Sequence, residues 1–379
     1  MKTFSYRIKD SSAASTTLNM MARSVNTVWN FVRETQDTAL KRKSARILPN
    51  GKSIPNFFSM PELCKLTAGS SKILGVHSKT IQAVVEQYVD RRQQFKKASL
   101  KWRGKRSLGW IPFANNAVKI RDDEIVYFGH TFRLWLSREL KGKVLCGGCF
   151  SQDARGRWYV NIVTDYKDES VKAGEGEVGV DLGLKTLATL SNGKKYSSMR
   201  YYRRQERLLK LAQKDGKTKR VKNIGAKIKN ARKDNNHKIS HELTRDNNLI
   251  IVGGVPSSVM TKTRMAKSVN DAGWYQLRTF IEYKAIARGS TYLKVNEAFT
   301  SQTCNCCGAR SPAGAPAGVK SLGIRKWVCG VCNAVHDRDI NAALNIFRLG
   351  CQALGLKWPR SLETEDIKGG FLQLVCGRG

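Results

Sequence analysis

The spacing of apolar residues changes repeatedly along this chain, and each change marks a predicted element. The first ten residues alternate, as a strand does. Leu18, Met21, Ala22, Val25, Trp29 and Val32 then follow the i, i+3, i+4, i+7 rule of an amphipathic helix. Turn residues at 49–51 and 69–71 mark 43–76 as a loop-rich connection. A second helix places Ile81, Val84, Val85, Tyr88 and Phe95 on one stripe, with Arg91, Arg92, Lys96, Lys97 and Lys101 elsewhere. From about 106 to 166 the pattern shortens to strand-like runs: AVKI, EIVYFG, FRLWL and, after a turn at 153–156, RWYVNIVTDY. Residues 1–170 therefore read as a small β unit with a helical insertion.

The second half has a different rhythm. EVGVDLGLKTLATL reads as a strand, Asn192-Gly193 as a hairpin turn and KKYSS as the returning strand. A long helical segment is predicted from about 200 to 246, with Tyr201, Leu208, Leu209 and Ala212 as its core stripe. LIIV at 249–252 is apolar throughout, and TYLKVN at 291–296 is another strand, with a helix around 273–287 between them. Strand, helix, strand at this spacing implies a parallel crossover. A last helix is predicted at 340–349. The final thirty residues are mixed, with an acidic cluster at Glu363, Glu365 and Asp366.

Charge narrows the choice of partner. The 379 residues suffice for two or three domains, and 41% hydrophobic content excludes wholesale disorder. Lys+Arg 67 against Asp+Glu 30 leaves +37, a self-repulsion that an anionic partner would relieve. No apolar run of about 18 residues is present to span a bilayer, and MKTFSYRIKD lacks a signal-peptide core. The expectation is an intracellular protein bound to nucleic acid, with no membrane role. Within 194–238 there are 17 Lys/Arg against 3 acidic residues, and oppositely charged i,i+4 partners are few. A phosphate-facing helical hairpin carrying Arg203, Arg204, Arg207 and Lys210 fits better than a merely solvated face. His237 and His241 share the i,i+4 spacing of helical metal ligands, but no third ligand accompanies them.

Cysteines and acids supply the chemistry. Cys304-x-x-Cys307 and Cys329-x-x-Cys332 form two knuckles, each aiming two thiolates at one ion. Together they predict one structural Zn²⁺ with no open position. Cys146 and Cys149 have no second pair and read as reduced thiols at a Gly147-Gly148 turn. Cys64, Cys306, Cys351 and Cys376 are also expected to be reduced. Glu297 lies seven residues before the first zinc cysteine and Asp339 seven after the last, so folding the ribbon brings these carboxylates towards each other. Asp181, in the middle of an apolar strand, is costly there unless paired or bound to metal. Gly183 leaves room for a phosphodiester backbone. Asp339 could instead cap the helix that follows; Asp337 is its close competitor, but the start of the helix favours Asp339.

These residues carry a resemblance. GVDLGLKTLAT, the ribbon with TSQTC, and DRDINAALNI resemble TnpB, the RNA-guided nuclease of bacterial insertion sequences, whose relatives include the small type V CRISPR effectors. The similarity spans about 175–350 in three ordered motifs, while 1–170 match in layout only. It implies an α/β plus β protein with an RNase H-like (RuvC) nuclease domain at 171–302 and 333–350. A zinc ribbon at 303–332 is inserted in it, and a C-terminal tail occupies 351–379. A β-barrel wedge-like domain at 1–10 and 104–170, carrying a helical recognition insertion at 11–103, would precede it. By motif, Asp181 is the first catalytic acid and Asp339 the third, and with a glutamate between them they would hold two Mg²⁺. Most members place that glutamate where this chain has Gly253-Gly254. The adjacent predicted strand ends in Glu297, and members with a displaced glutamate resemble this arrangement. Neighbouring strands lie about 4.8 Å apart, within reach of a Glu side chain.

The function so implied is an RNA-guided DNA endonuclease of a transposable element, cytoplasmic and nucleoid-associated. A guide RNA would pair with double-stranded target DNA, while the basic N-terminal unit reads a short adjacent motif. Arg338 is placed to contact the scissile phosphate or to form a surface salt bridge. The rival is a nuclease-inactive, RNA-guided DNA-binding repressor, which the presence of Asp181, Glu297 and Asp339 opposes. A strand-joining transposase finds no recombinase constellation in the sequence.

Overall fold

The computed structural model describes residues 2–41, 57–114, 117–166, 171–254, 260–316 and 323–356, and the backbone of two short strands at 46–47 and 53–54. The chain divides into two compact units, Met1–Lys167 and Asp168–Gly379.

The first unit runs β1 (Lys2–Ile8), α1 (Ser12–Lys41), β2 (Arg46–Ile47), β3 (Ser53–Ile54), α2 (Met60–Leu66), α3 (Ser71–Leu74) and α4 (Ser78–Gln94). Six strands follow: β4 (Trp110–Ala114), β5 (Val118–Arg121), β6 (Glu124–Tyr127), β7 (His130–Trp135), β8 (Val144–Gln152) and β9 (Trp158–Thr164). They join β1 in an antiparallel sheet of order β4-β8-β9-β1-β7-β6-β5. Among the described residues no ladder joins β4 to β5, so barrel closure is not part of the observed pairing. The helical stripe of α1, from Leu18 to Val32, is buried in one core with Val84, Val85 and Tyr88 of α4 and with Phe113, Tyr127, Phe132 and Phe150 of the sheet. Sheet and helices thus stabilise each other rather than forming separate cores.

Three expectations for this unit need correction. The connection before α4 is not all loop, because its described part folds into α2 and α3. Phe95 does not extend the α4 stripe; it caps the helix and is 52% exposed. Cys146-Gly147-Gly148-Cys149 is not a turn but part of β8. A Cβ on Gly147 would lie 2.0 Å from the Phe113 carbonyl oxygen, and one on Gly148 2.0 Å from that of Asn161. The glycines therefore permit close approach of β4 and β9 at an irregularity in the ladder.

The second unit contains β10 (Gly176–Leu182), β11 (Thr186–Leu190), β12 (Lys195–Ser197), α5 (Tyr201–Lys214), α6 (Thr218–Asp246) and β13 (Asn247–Gly253). Then come α7 (Ala266–Ala272), α8 (Trp274–Arg288), β14 (Thr291–Val295), β15 (Lys326–Val328), β16 (Val335–Asp337) and α9 (Arg338–Ala353). Its five-stranded sheet has the order β12-β11-β10-β13-β14. The first three strands are antiparallel, and β10, β13 and β14 run parallel, giving the expected crossover. LIIV is apolar throughout because both its faces are covered. Ile250 and Val252 pack with Ile239, Leu243, Leu277 and Ile281 of α6 and α8. Leu249 and Ile251 pack with Ile346, Phe347 and Cys351 of α9.

Two details differ from expectation. The run 177–190 is two strands, broken at Gly183, whose carbonyl accepts a hydrogen bond from Trp274 Nε1 (3.1 Å). In α5, Ala212 is buried but Leu208 is exposed. This helix packs against α6 and meets α7 at its start, and leaves Leu208 facing solvent. The acidic cluster near the C-terminus lies outside the described residues, as does the side chain of Cys146.

Candidate active site

Strand alternation decides which side chains meet. On β10, Val178, Val180 and Leu182 enter the α6/α8 core, so Gly179 and Asp181 face α9. A Cβ on Gly179 would lie 2.3 Å from the Ala343 carbonyl oxygen. Only glycine lets α9 approach this closely, two residues before Asp181. On β13 the same face carries Leu249, Ile251 and Gly253. The pairing of Val180 with Val252 sets Asp181 beside Gly253, and Gly253 in turn pairs with Val295. Glu297 lies two residues beyond Val295, on the same face and just past the end of β14.

Gly253 leaves a gap that Glu297 fills. A Cβ at Gly253 would lie 2.6 Å from Glu297 Oε2 and 2.9 Å from Ile346 Cδ1. The Glu297 carboxylate thus occupies the space into which a side chain at 253 would project. Its Oε2 is buried without a hydrogen-bond partner. Burial pushes the Glu297 carboxyl up to about 7, with Arg278 acting weakly in the other direction. Asp181 is pushed up to about 8, first by burial and then by the negative charges of Glu297 and Asp339. Arg338 and Arg325 partly offset them.

Asp339 arrives from the opposite direction, in the first turn of α9. Asp337, not Asp339, caps this helix, accepting from the N–H groups of Asp339 (3.0 Å) and Ile340 (3.1 Å). Burial raises the Asp337 carboxyl, but its 2.7 Å hydrogen bond from Lys195 and those backbone donors leave it below its ordinary value. Asp339 is freed from capping and accepts from Arg325 Nη1 at 3.1 and 3.3 Å. Asp181, Glu297 and Asp339 line one cavity of about 820 Å³, together with Arg200, Arg203, Arg325 and Arg338. The three carboxylates, two of them buried at a cost, offer one cavity the hard oxygens a divalent cation takes, though among the described residues only the ribbon cysteines have their ligand atoms drawn together.

The sequence brought these three acids together with Arg338, and assigned Arg203 to the basic hairpin rather than to this cavity. It did not single out Arg325, which carries no local motif. Asp271 was also missed; its Oδ1 accepts from the Tyr202 N–H (2.8 Å) at the start of α5, and it lines the cavity. Arg204, Arg207 and Lys210 lie on the exposed surface of α5, outside the cavity lining. Contrary to expectation, some charges of the basic hairpin are paired. Glu206 lies 3.2 Å from Arg203, 3.7 Å from Lys210 and 3.4 Å from Lys267. His237 stacks on Phe280 with centroids 4.0 Å apart, and His241 Nδ1 lies 3.3 Å from Arg288.

The four ribbon cysteines converge, their sulfur atoms all lying within 4.8 Å of one another. Cys304 Sγ is 3.6 Å from Cys332 Sγ, and Cys307 Sγ is 3.8 Å from Cys329 Sγ. Thiolates held this close need a cation, and a closed four-sulfur set suits zinc. The buried His336, its ring tilted 41° against that of Trp327, places Nε2 3.0 Å from Cys304 Sγ. The ribbon is anchored to α9 by Asn341 and Asn345, whose amides donate to the carbonyls of Thr300 and Thr303 at 2.7–3.2 Å.

The carboxylates lie at the strand ends of an α/β sheet with a four-cysteine knuckle between Glu297 and Asp339, and the chain is similar to known proteins over this region. Residues 274–346 match the family described as "Cas12f1-like, TNB domain", and residues 161–264 the family "Probable transposase" of the OrfB_IS605 type. A relative from Streptomyces pristinaespiralis, named "Putative RNA-guided DNA endonuclease", is 32% identical over 217 residues, 54% of this chain and 52% of the relative. Another so named, InsQ of Escherichia coli K12, is 27% identical over 224 residues, 52% of this chain and 54% of the relative. The chain spans about half the length of these relatives. A Cas12f1–sgRNA–target DNA complex aligns over 91% of this chain and 98% of its own at 15% identity, with a TM-score of 0.35. Over residues 161–346 the chain is similar to TnpB-type proteins. No helix among its described residues is long and apolar enough to cross a membrane.

Proposed function

We propose that this protein is an RNA-guided DNA endonuclease of a transposable element, with an RNase H-like (RuvC) nuclease site made by Asp181, Glu297 and Asp339. The observation that carries this reading is the Glu297 carboxylate in the space above Gly253, beside Asp181 and without a hydrogen-bond partner. An enzyme that had lost its middle acid would have no reason to bury another one there. Burial of an unpartnered carboxylate beside a second acid is costly, and bound cations would relieve it.

Asp181, Glu297 and Asp339 would hold two Mg²⁺, which when bound supply activation of water and neutralise charge on the leaving oxygen. The chain's own groups do the rest. Arg325 and Arg338 bring positive charge to the acids and to an incoming phosphate, and Arg200 and Arg203 extend it along the cavity wall. Gly183 and Gly254 keep side chains away from the strand ends. The ribbon zinc sets the chain path between Glu297 and Asp339. A guide RNA and a DNA target fit the relatives' names and the excess positive charge; a double-stranded target with a short adjacent motif read by the first unit is what the resemblance to TnpB implies.

The test is to sequence the RNA that copurifies with the full chain and to offer duplex DNA matching one end of it. Mg²⁺-dependent cutting of the matched duplex, and of no scrambled one, is expected. Matched binding without cutting would favour the repressor; no copurifying RNA and no guided binding would contradict both.

A further inference from the structure

The first unit contains a second cavity, of about 580 Å³, that the nuclease reading does not use. Its lining includes Trp29, Phe95, Trp102 and Trp110 together with Arg91, Lys97, Lys101 and Arg103, and no carboxylate. Two of the aromatics are held open to solvent: Phe95 is 52% exposed and Trp102 54%. The surrounding backbone is firmly fixed. Trp29 Nε1 donates to the Lys101 carbonyl (3.1 Å), and Asn30 clamps Arg103 by its carbonyl (2.8 Å) and its N–H (2.9 Å). Arg33 donates to the Leu100 carbonyl and sets its guanidinium 4.1 Å from the Trp102 ring centroid. Trp102 is therefore braced by a cation, yet more than half of it remains available.

Arg103 is the centre of this site. It donates from Nε to Asn26 Oδ1 (2.6 Å) and from Nη2 to the Leu108 carbonyl (3.0 Å), and lies over both Trp29 and Trp110. Burial and the neighbouring Arg91 hold its guanidinium below the ordinary arginine range. Two cations facing each other beside exposed rings make poor core packing. They are the elements of a site that stacks a base and neutralises its phosphate.

We propose that this cavity binds a single-stranded nucleotide, its base stacked on Trp102 and Phe95 and its phosphate met by Arg91, Lys97 and Lys101. The inference takes nucleic acid as the partner, as the proposed function does, but it does not depend on cleavage. An apolar ligand would not need four cations, and a duplex would keep its bases from the rings.

The probe is a single-stranded oligonucleotide bound to the full chain after its copurifying nucleic acid has been stripped at high salt. Trp102→Ala combined with Phe95→Ala removes exposed rings and leaves the braced backbone intact. Loss of base stacking should weaken single-strand binding by about ten-fold. Duplex affinity should change less than two-fold, by about a factor expected of an untouched phosphate surface, and the salt slope should stay unchanged. An abasic strand should bind wild type and variant alike. Photocrosslinking of a 4-thiouridine strand to the wild-type chain should label peptides containing Phe95 or Trp102. Equal loss for duplex and single strand, no loss at all, or crosslinks confined to residues 168–379 would overturn the proposal.

Discussion

Glu297 shows how one residue can be legible in a sequence while its neighbours are not. Gly253 flagged a missing acid, strand adjacency pointed to Glu297, and the close approach of Oε2 to Gly253 gives that substitution a physical form. Asp339 was the harder residue, since a helix start invites capping; the Asp337 side chain takes that role and releases it. Arg325 was illegible because its contact with Asp339 reaches over the second cysteine knuckle and leaves no trace in local spacing. The raised carboxyls make a prediction of their own. Folded values of about 8 for Asp181 and about 7 for Glu297 lie above those of an unfolded chain, so the folded protein holds extra protons between about pH 4 and pH 8. Stability in the absence of divalent ions should therefore fall as pH rises through that window. Melting curves in EDTA should show this fall, and Glu297→Gln should flatten it. Mg²⁺ should raise the melting temperature of the wild type more at pH 8 than at pH 5, with no such gain in Glu297→Gln. A flat wild-type profile would remove the argument for a cation between these acids.

At the scale of elements, periodicity served best where burial is simple. The α1 stripe and the doubly covered LIIV strand follow directly from which faces are buried. It failed where glycine has more than one use. Gly147-Gly148 reads as a turn, yet these residues admit two neighbouring strands. It failed again on α5, where Leu208 imitates a core position yet faces solvent. The basic hairpin also changes under scrutiny, because Arg203 and Lys210 share Glu206. Arg204 and Arg207 are the better probes of phosphate contact. Replacing both with Gln should lower the slope of log affinity against log salt by roughly 1.5 for single-stranded RNA, about 0.7 per phosphate contact. An unchanged slope would make this face merely solvated. For the ribbon, Cys304→Ser should reduce zinc to well below one ion per chain by elemental analysis, because ligand loss couples to unfolding. Equal zinc in the variant would exclude the four-cysteine site.

The whole molecule is less legible than its parts. A charge of +37 points to an anionic partner, since so large an imbalance opposes compaction without an anion. The shared core of helices and sheet in the first unit was not visible in the sequence, because pairing of β1 with β9 joins residues more than 150 positions apart. In the proposed function, three acids from distant segments act as one metal-dependent cutting centre, with Glu297 as the relocated member. The direct measurement compares cleavage and binding of a guide-matched duplex by the wild type, Asp181→Ala, Glu297→Gln and Asp339→Ala, each loaded with the same RNA. All three variants should lose Mg²⁺-dependent cleavage by a factor on the order of a thousand or more while binding the duplex as the wild type does. Gly253→Glu should not restore Glu297→Gln fully, since Ile346 crowds position 253. Cleavage by Glu297→Gln at the wild-type rate would contradict the account.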